Sequence, residues 1–138
     1  MQTFLPYSEF WLSLYCLDNK RLGKQRVEAR QIWRTLRGEN LGWRHHPAVK
    51  MWRGYENALA TYYNISLRIW EAKGFCNSME RIEKATGPAL AMPHWLGDER
   101  LHSSHRANLL RKNPEHYGRF GWEETPRSGY YWPRGKET

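Results

Sequence analysis

The apolar residues of this chain recur at helical spacing over most of its length. Leu22, Ala29, Ile32, Trp33 and Leu36 fall on one side of a helix at ~100° per residue. Asp18 can cap that helix and Gly38 can stop it, which predicts a helix running to Arg37. Residues 8–16 read as a shorter first helix. Pro47 suits the first turn of a second long helix that continues to Lys73 and stops at Gly74. Gly54 inside it costs about 1 kcal/mol relative to alanine and marks close packing or a kink. Asn77 and Glu80 have capping-box spacing for a short helix over 78–85, followed by a loop at Gly87, Pro88 and Pro93. Asp98 can cap a last helix through Lys112, ended by Asn113-Pro114. No strand-like alternation, repeat or linker interrupts this pattern. From Tyr117 onward the Gly-, Pro- and aromatic-rich composition predicts an irregular strap. The expected architecture is all-α: one compact helical bundle over 1–138 with an aromatic-rich C-terminal strap.

A length of 138 residues fits one domain with a modest core. No apolar run is long enough to span a membrane. The opening MQTFLPYSEFW has no basic leader before a long apolar stretch, so no signal peptide and a cytosolic location are expected. Cys16 and Cys76 have no partners at metal-ligand or Cys-x-x-Cys spacing and read as reduced, partly buried thiols. The eight Trp and eight Tyr are a candidate base-stacking resource. Trp33, Trp52 and Trp70 lie in helical patterns and read as core; Phe120, Trp122 and the Tyr130-Tyr131-Trp132 cluster are less clearly so.

Charge changes the picture more than composition does. Between Lys20 and Arg53 the chain carries ten Lys and Arg against only Glu28 and Glu39, which accounts for the whole net charge of +8. An excess this concentrated is the footprint of a polyanion-binding surface. Arg21, Lys24, Arg26 and Arg30 are its candidate phosphate contacts. Glu28 lies inside it, where a carboxylate weakens phosphate binding, which makes chemistry a candidate reason for its presence. The plainer reading of Glu28 is an i, i+4 ion pair with Lys24, worth about 0.2–0.5 kcal/mol. Arg26, Arg30, Arg34 and Arg37 form a stripe about 160° round the helix from Glu28, so one straight groove cannot engage both faces.

Two further basic elements are candidates. Arg44, His45 and His46 precede Pro47 at a predicted helix start, where backbone N–H groups can hold a phosphate. His102, His105, Arg106, Arg111 and Lys112 mark the last helix as basic, although cations near a helix C-terminus also suit its dipole. No metal site is expected, since adjacent histidines without Cys or Glu partners rarely hold an ion. No phosphate loop, nucleophile elbow or paired carboxylates for two-metal chemistry occur.

The run Arg21-Leu22-Gly23-Lys24-Gln25-Arg26-Val27-Glu28 resembles the pyrimidine-dimer DNA glycosylase family, of the phage endonuclease V kind. That family carries His-Leu-x-x-x-x-Arg-Glu on a helix near its N-terminus. Leu22 and Glu28 match; Arg21 replaces the His and Val27 the Arg. A long helix ending Lys73-Gly74-Phe75, the Gly97-Asp98 pair, the basic last helix and the aromatic tail agree across nearly the whole chain. MQTFLPY and RLGKQRVE look closer to a less characterised bacterial and phage branch. The resemblance implies a DNA repair enzyme that releases a damaged or modified pyrimidine without cofactor or metal. An N-terminal α-amine attacks the sugar C1′ and forms a Schiff base, a carboxylate at Glu28 assists, and β-elimination nicks the strand. An α-amine ionises near ~8 in model peptides, so a useful fraction is neutral at pH 7. The family's amine sits on a small second residue, exposed by Met removal. Gln2 is too large for that, which leaves the amine on Met1; Gln2, Lys20 and Lys24 are the other candidates. The implied partner is double-stranded DNA, bent or with a flipped nucleotide, bound by a monomer with no protein partner. The other function compatible with these residues is a non-catalytic nucleic-acid-binding module.

Overall fold

Leu22, Ala29 and Ile32 are fully buried, and the stripe they form seats the helix α2 (Asn19–Leu36) on the core. The computed structural model describes residues 1–83 and 91–136, and all regular structure among them is helical. The other helices are α1 (Phe10–Tyr15), α3 (Pro47–Lys50), α4 (Glu56–Ala72), α5 (Glu99–Lys112) and α6 (Pro114–Tyr117), with single 3-10 turns at Leu41–Trp43 and Gly118–Phe120. The broadest contact is α2 on α4, and α1 packs on the same helix. The core is aromatic at its centre. Trp52 is fully buried and meets the rings of Phe10, Tyr62 and Trp95 at 5.9, 5.9 and 5.0 Å. Trp33 and Trp70 pack against this core only partly buried.

The long helix expected from Pro47 to Lys73 is broken at Gly54. Gly54 adopts φ +86°, a left-handed conformation that a side chain disfavours. The carbonyls that should continue the helix are occupied by the C-terminal strap. Gly135 donates its N–H to the Lys50 carbonyl at 3.1 Å, and Lys136 donates to Arg53 at 2.8 Å. Gly135 is required there, because a Cβ would lie 2.5 Å from the Arg53 oxygen. The strap thus closes the break between α3 and α4.

Other expectations need correction. Residues 78–83 are not helical, and 84–90 lie outside the described residues. Asn77 forms a local turn instead of a capping box: its Oδ1 accepts the Met79 N–H at 3.1 Å, while the Glu80 carbonyl accepts the Tyr63 hydroxyl at 2.7 Å. Asp18 stands at the N-cap of α2 but makes no capping bond. Its carboxylate pairs with Arg21 at 3.2 Å and accepts the Tyr117 hydroxyl. Asn113-Pro114 ends α5 and at once begins the one-turn helix α6. Both cysteines are free, Cys16 buried as expected and Cys76 exposed. Burial pushes the Cys16 thiol up to about 12.

Candidate active site

Residues 2–6 are buried yet belong to no helix, so their backbone groups need side-chain partners. Three helices supply them. From α2, Gln25 accepts the Phe4 N–H at 2.8 Å and donates to the Gln2 carbonyl at 2.6 Å. One turn later Glu28 accepts the Gln2 N–H at 3.2 Å. From α4, the Tyr62 hydroxyl donates to the Phe4 carbonyl at 2.7 Å. From α5, His105 Nδ1 accepts the Leu5 N–H at 2.8 Å, His102 Nδ1 bonds the Leu5 carbonyl at 2.7 Å, and Arg106 donates to the Pro6 carbonyl at 2.8 Å. Trp52 adds a bond to the Thr3 hydroxyl at 2.9 Å. The chain start is therefore fixed in register against Glu28.

Met1, Gln2, Phe4, Lys20, Arg21, Lys24, Glu28, Lys112 and Tyr130 line one cavity of about 350 Å³ beside this segment. It is a size that admits a sugar with its substituents. Glu28 is half-buried and is not ion-paired with Lys24; its Oε2 is taken by Gln2. Four cations and the first residue thus surround one carboxylate. The Lys112 ammonium is held below the usual lysine range, first by burial and then by Arg111, Arg21 and Lys24, with Glu28 opposing. Tyr130 is pushed up by burial, while Arg111 and Arg21 act against that shift. Among the described residues no group of three or more His, Cys, Asp or Glu converges as a metal site.

The structure brings together Met1, Gln2, Arg21, Lys24 and Glu28 from the first part of the sequence with Lys112 from the last helix. Arg111 is exposed and does not line the cavity, but it acts electrostatically on Lys112 and Tyr130, which do. Arg21 is partly neutralised by Asp18. Arg30, Arg44 and His45 are exposed.

Four residues expected at phosphates are placed otherwise. Arg26 lies over the Trp70 ring at 4.1 Å and donates to Asn77 Oδ1 at 3.0 Å, tying the segment after α4 to α2. His102 and His105 are buried and hold the chain start. Arg106 is locked between Pro6, Glu99 and Glu124. Their periodicity gave a basic face correctly as a shared face, but that face points inward. His46 is also diverted: its Nδ1 accepts the Ala48 N–H at 3.0 Å and caps α3, which has only one turn. Sequence reasoning missed Tyr130 and placed Lys112 only at phosphates, because neither is close in sequence to Glu28. The basic, aromatic tail composition was the one available signal.

Burial holds the His105 imidazole down to about 3, with the neighbouring His102 acting in the same direction. An unfolded histidine takes up its proton near 6.5. Below that pH the unfolded chain binds a proton that the folded chain refuses, so stability falls as pH falls from ~6.5 towards ~3, by at most about 1.4 kcal/mol per unit. Thermal melts between pH 7 and pH 5 will show Tm dropping before most carboxylates titrate. His105→Asn will flatten that early decline, and its Tm at pH 7 will be lower than wild type.

No curated relative and no solved structure matches the chain significantly. Residues 1–83 match the family model described as pyrimidine dimer DNA glycosylase. This stretch contains the buried chain start, α2 with Glu28, and α4; it is shorter than the nearly whole-chain agreement drawn from the motifs. On that match, the chain belongs to the pyrimidine dimer DNA glycosylase family.

Proposed function

We propose that the cavity beside Glu28 performs glycosidic cleavage on double-stranded DNA with the Met1 α-amine as nucleophile and no metal. Membership of the family makes the chain a DNA glycosylase and DNA its substrate. The amine, the lyase step, the duplex form and a monomer acting in the cytosol belong to this proposal. No described helix is long and apolar enough to cross a membrane.

The observation that carries it is the bond from the Gln2 N–H to Glu28, held in register by Gln25. A protein rarely buries an irregular chain start and gives each residue a dedicated side-chain partner unless its position matters. Here the fixed position is one residue from the α-amine. In the proposed step the amine lone pair attacks C1′ as the C1′–N bond breaks. The base leaves with the bonding electrons and takes up a proton. Glu28 stabilises the positive charge that develops on the sugar and accepts the proton shed by the attacking nitrogen. The sugar ring then opens to the iminium, loss of a C2′ proton expels the 3′ phosphate, and water releases the amine. Arg21, Lys20, Lys24 and Lys112 offset the phosphates around the flipped nucleotide; Arg30, Arg44, His45 and Arg111 hold flanking backbone.

Lys112 is the competing amine, because it shares the cavity and is held below the usual lysine range. Lys20 and Lys24 share the cavity as well. The test is incubation with duplexes bearing a pyrimidine dimer or an abasic site, in the presence of a chelator. Cleavage of one glycosidic bond of the dimer, which leaves that pyrimidine tethered to its dimer partner, and strand nicking at either substrate support the proposal. Binding without cleavage, unaffected by Glu28→Gln, would instead indicate a non-catalytic nucleic-acid-binding module.

A further inference from the structure

We propose that the groove between α1, the end of α4 and the turn after α6 docks an acidic peptide segment of another protein, which seats apolar side chains against Leu12, Tyr15 and Phe120 and sets carboxylates beside Lys73 and Arg119. The inference does not rest on the glycosylase reading, and it departs from the expectation of no protein partner.

α1 is apolar on both its faces. Phe10 and Leu14 are buried in the core, yet Trp11, Leu12 and Tyr15 are exposed, Leu12 to 45 % and Tyr15 to 61 %. A surface helix ordinarily carries polar residues on its outer face. Tyr15 lies one turn from both Trp11 and Leu12, so the three share that face. Phe120, 38 % exposed in the turn Gly118–Phe120, continues it across a groove of about 470 Å³ floored by Cys16. Scattered exposed aromatics are ordinary, whereas a contiguous apolar groove with a polar rim marks a protein contact. The groove shares no lining residue with the cavity at Glu28 and is not an arm of it.

Charge selects the occupant. Lys73 and Arg119 line the groove, and among the described residues no Asp or Glu does. The Lys73 ammonium donates to the Leu17 carbonyl at 3.2 Å and lies 5.8 Å from the Tyr15 ring. Burial holds it below the ordinary lysine range, with Cys16 and Asp18 opposing. Asp18 is itself engaged by Arg21 and the Tyr117 hydroxyl. Arg119 is exposed and donates to the His116 carbonyl at 3.1 Å and to its Nδ1 at 2.9 Å. Among the described residues neither cation is ion-paired with a carboxylate. Acids brought by a partner would supply what is missing, beside a wall that takes apolar anchors. A second copy of this chain suits the groove poorly, because each copy carries a net charge of +8. Duplex DNA suits it poorly as well, since its outermost phosphates would be buried against Leu12 and Phe120 without partners.

The test is fluorescence anisotropy of the full chain with a fluorescein-labelled peptide of about fifteen residues, bearing leucine and phenylalanine one helical turn apart among aspartates. Saturable binding is expected, with Kd on the order of 10 μM. Tyr15→Ser and Arg119→Glu, both at exposed positions, should each weaken it about tenfold while leaving Tm and strand cleavage as in wild type. A matching peptide with serine for its leucine and phenylalanine, and one with lysine for its aspartates, should each bind at least about tenfold more weakly. A saturating undamaged duplex should not displace the acidic peptide. Absence of binding, equal binding of the serine peptide, or indifference to both substitutions overturns the proposal. Displacement by the duplex assigns the peptide to the DNA surface and overturns it too, as does self-association that is lost in Tyr15→Ser and blocks the peptide. Peptide binding with these properties by a chain that cleaves no DNA would leave the groove standing and the glycosylase chemistry refuted.

Discussion

Glu28→Gln will reduce glycosidic cleavage by about a thousandfold or more while leaving the fold intact and DNA binding equal or tighter. The substitution is close to isosteric. A glutamine carbonyl still accepts the Gln2 N–H that Glu28 now binds at 3.2 Å, so the chain start keeps its anchor. What disappears is the negative charge facing the sugar and the site that takes a proton. Removing an anion from a cavity lined by Lys20, Arg21, Lys24 and Lys112 also removes repulsion of DNA phosphate. Single-turnover assays with a damaged duplex, paired with binding at the same salt, separate the two effects. A variant that keeps more than about a tenth of wild-type turnover would remove Glu28 from the chemistry.

Gln25→Leu will cost both turnover and stability, in different proportions from Glu28→Gln. The carboxamide of Gln25 bridges two backbone groups of the buried chain start, Phe4 N–H and Gln2 C=O. Leucine preserves the volume and leaves both groups unpaired, at about 1–3 kcal/mol each. Tm should fall by several degrees. The catalytic consequence follows from position: with Gln2 released, the first residue no longer has a fixed place relative to Glu28. The expected signature is a large loss in kcat with little change in KM, because cavity cations still bind the phosphates. Gln25→Glu is the informative partner. Ionised, it keeps the acceptor for the Phe4 N–H but sets a buried negative charge against the Gln2 carbonyl, so it should be at least as damaging as leucine on both measures, and least so at low pH, where the protonated carboxyl can donate to Gln2. If Gln25→Leu lowers Tm and leaves kcat unchanged, Gln25 is structural only.

Much of this architecture was legible before any coordinates. The stripe Leu22–Ala29–Ile32 specified α2 because side-chain periodicity reports directly on burial. Glu28 was visible as a carboxylate inside a cationic stretch and as a match to the family motif, but spacing alone favoured a pair with Lys24, and only the fold shows it bound by the Gln2 N–H instead. The break at Gly54 was visible as a glycine but not as a stop, because what interrupts the helix is a strap about eighty residues away. His102, His105 and Arg106 were misjudged for a related reason. A basic helix face and a face that binds backbone carbonyls and N–H groups use the same residue types, and only the buried segment at residues 2–6 distinguishes them. Arg26 went the same way, since stacking on Trp70 leaves no trace in sequence spacing. Lys112 and Tyr130 reach the cavity through tertiary packing alone.

Every catalytic role assigned here depends on a primary amine at the chain start meeting a sugar carbon beside Glu28. Borohydride reduction of the enzyme mixed with abasic-site DNA, followed by proteolysis and mass mapping of the attached residue, reads that contact directly. The account predicts a covalent adduct on the Met1 nitrogen, formed by wild type and lost when the α-amine is acetylated. An adduct confined to Lys112, Lys20 or Lys24, or no adduct with abasic DNA that is demonstrably bound, would contradict it.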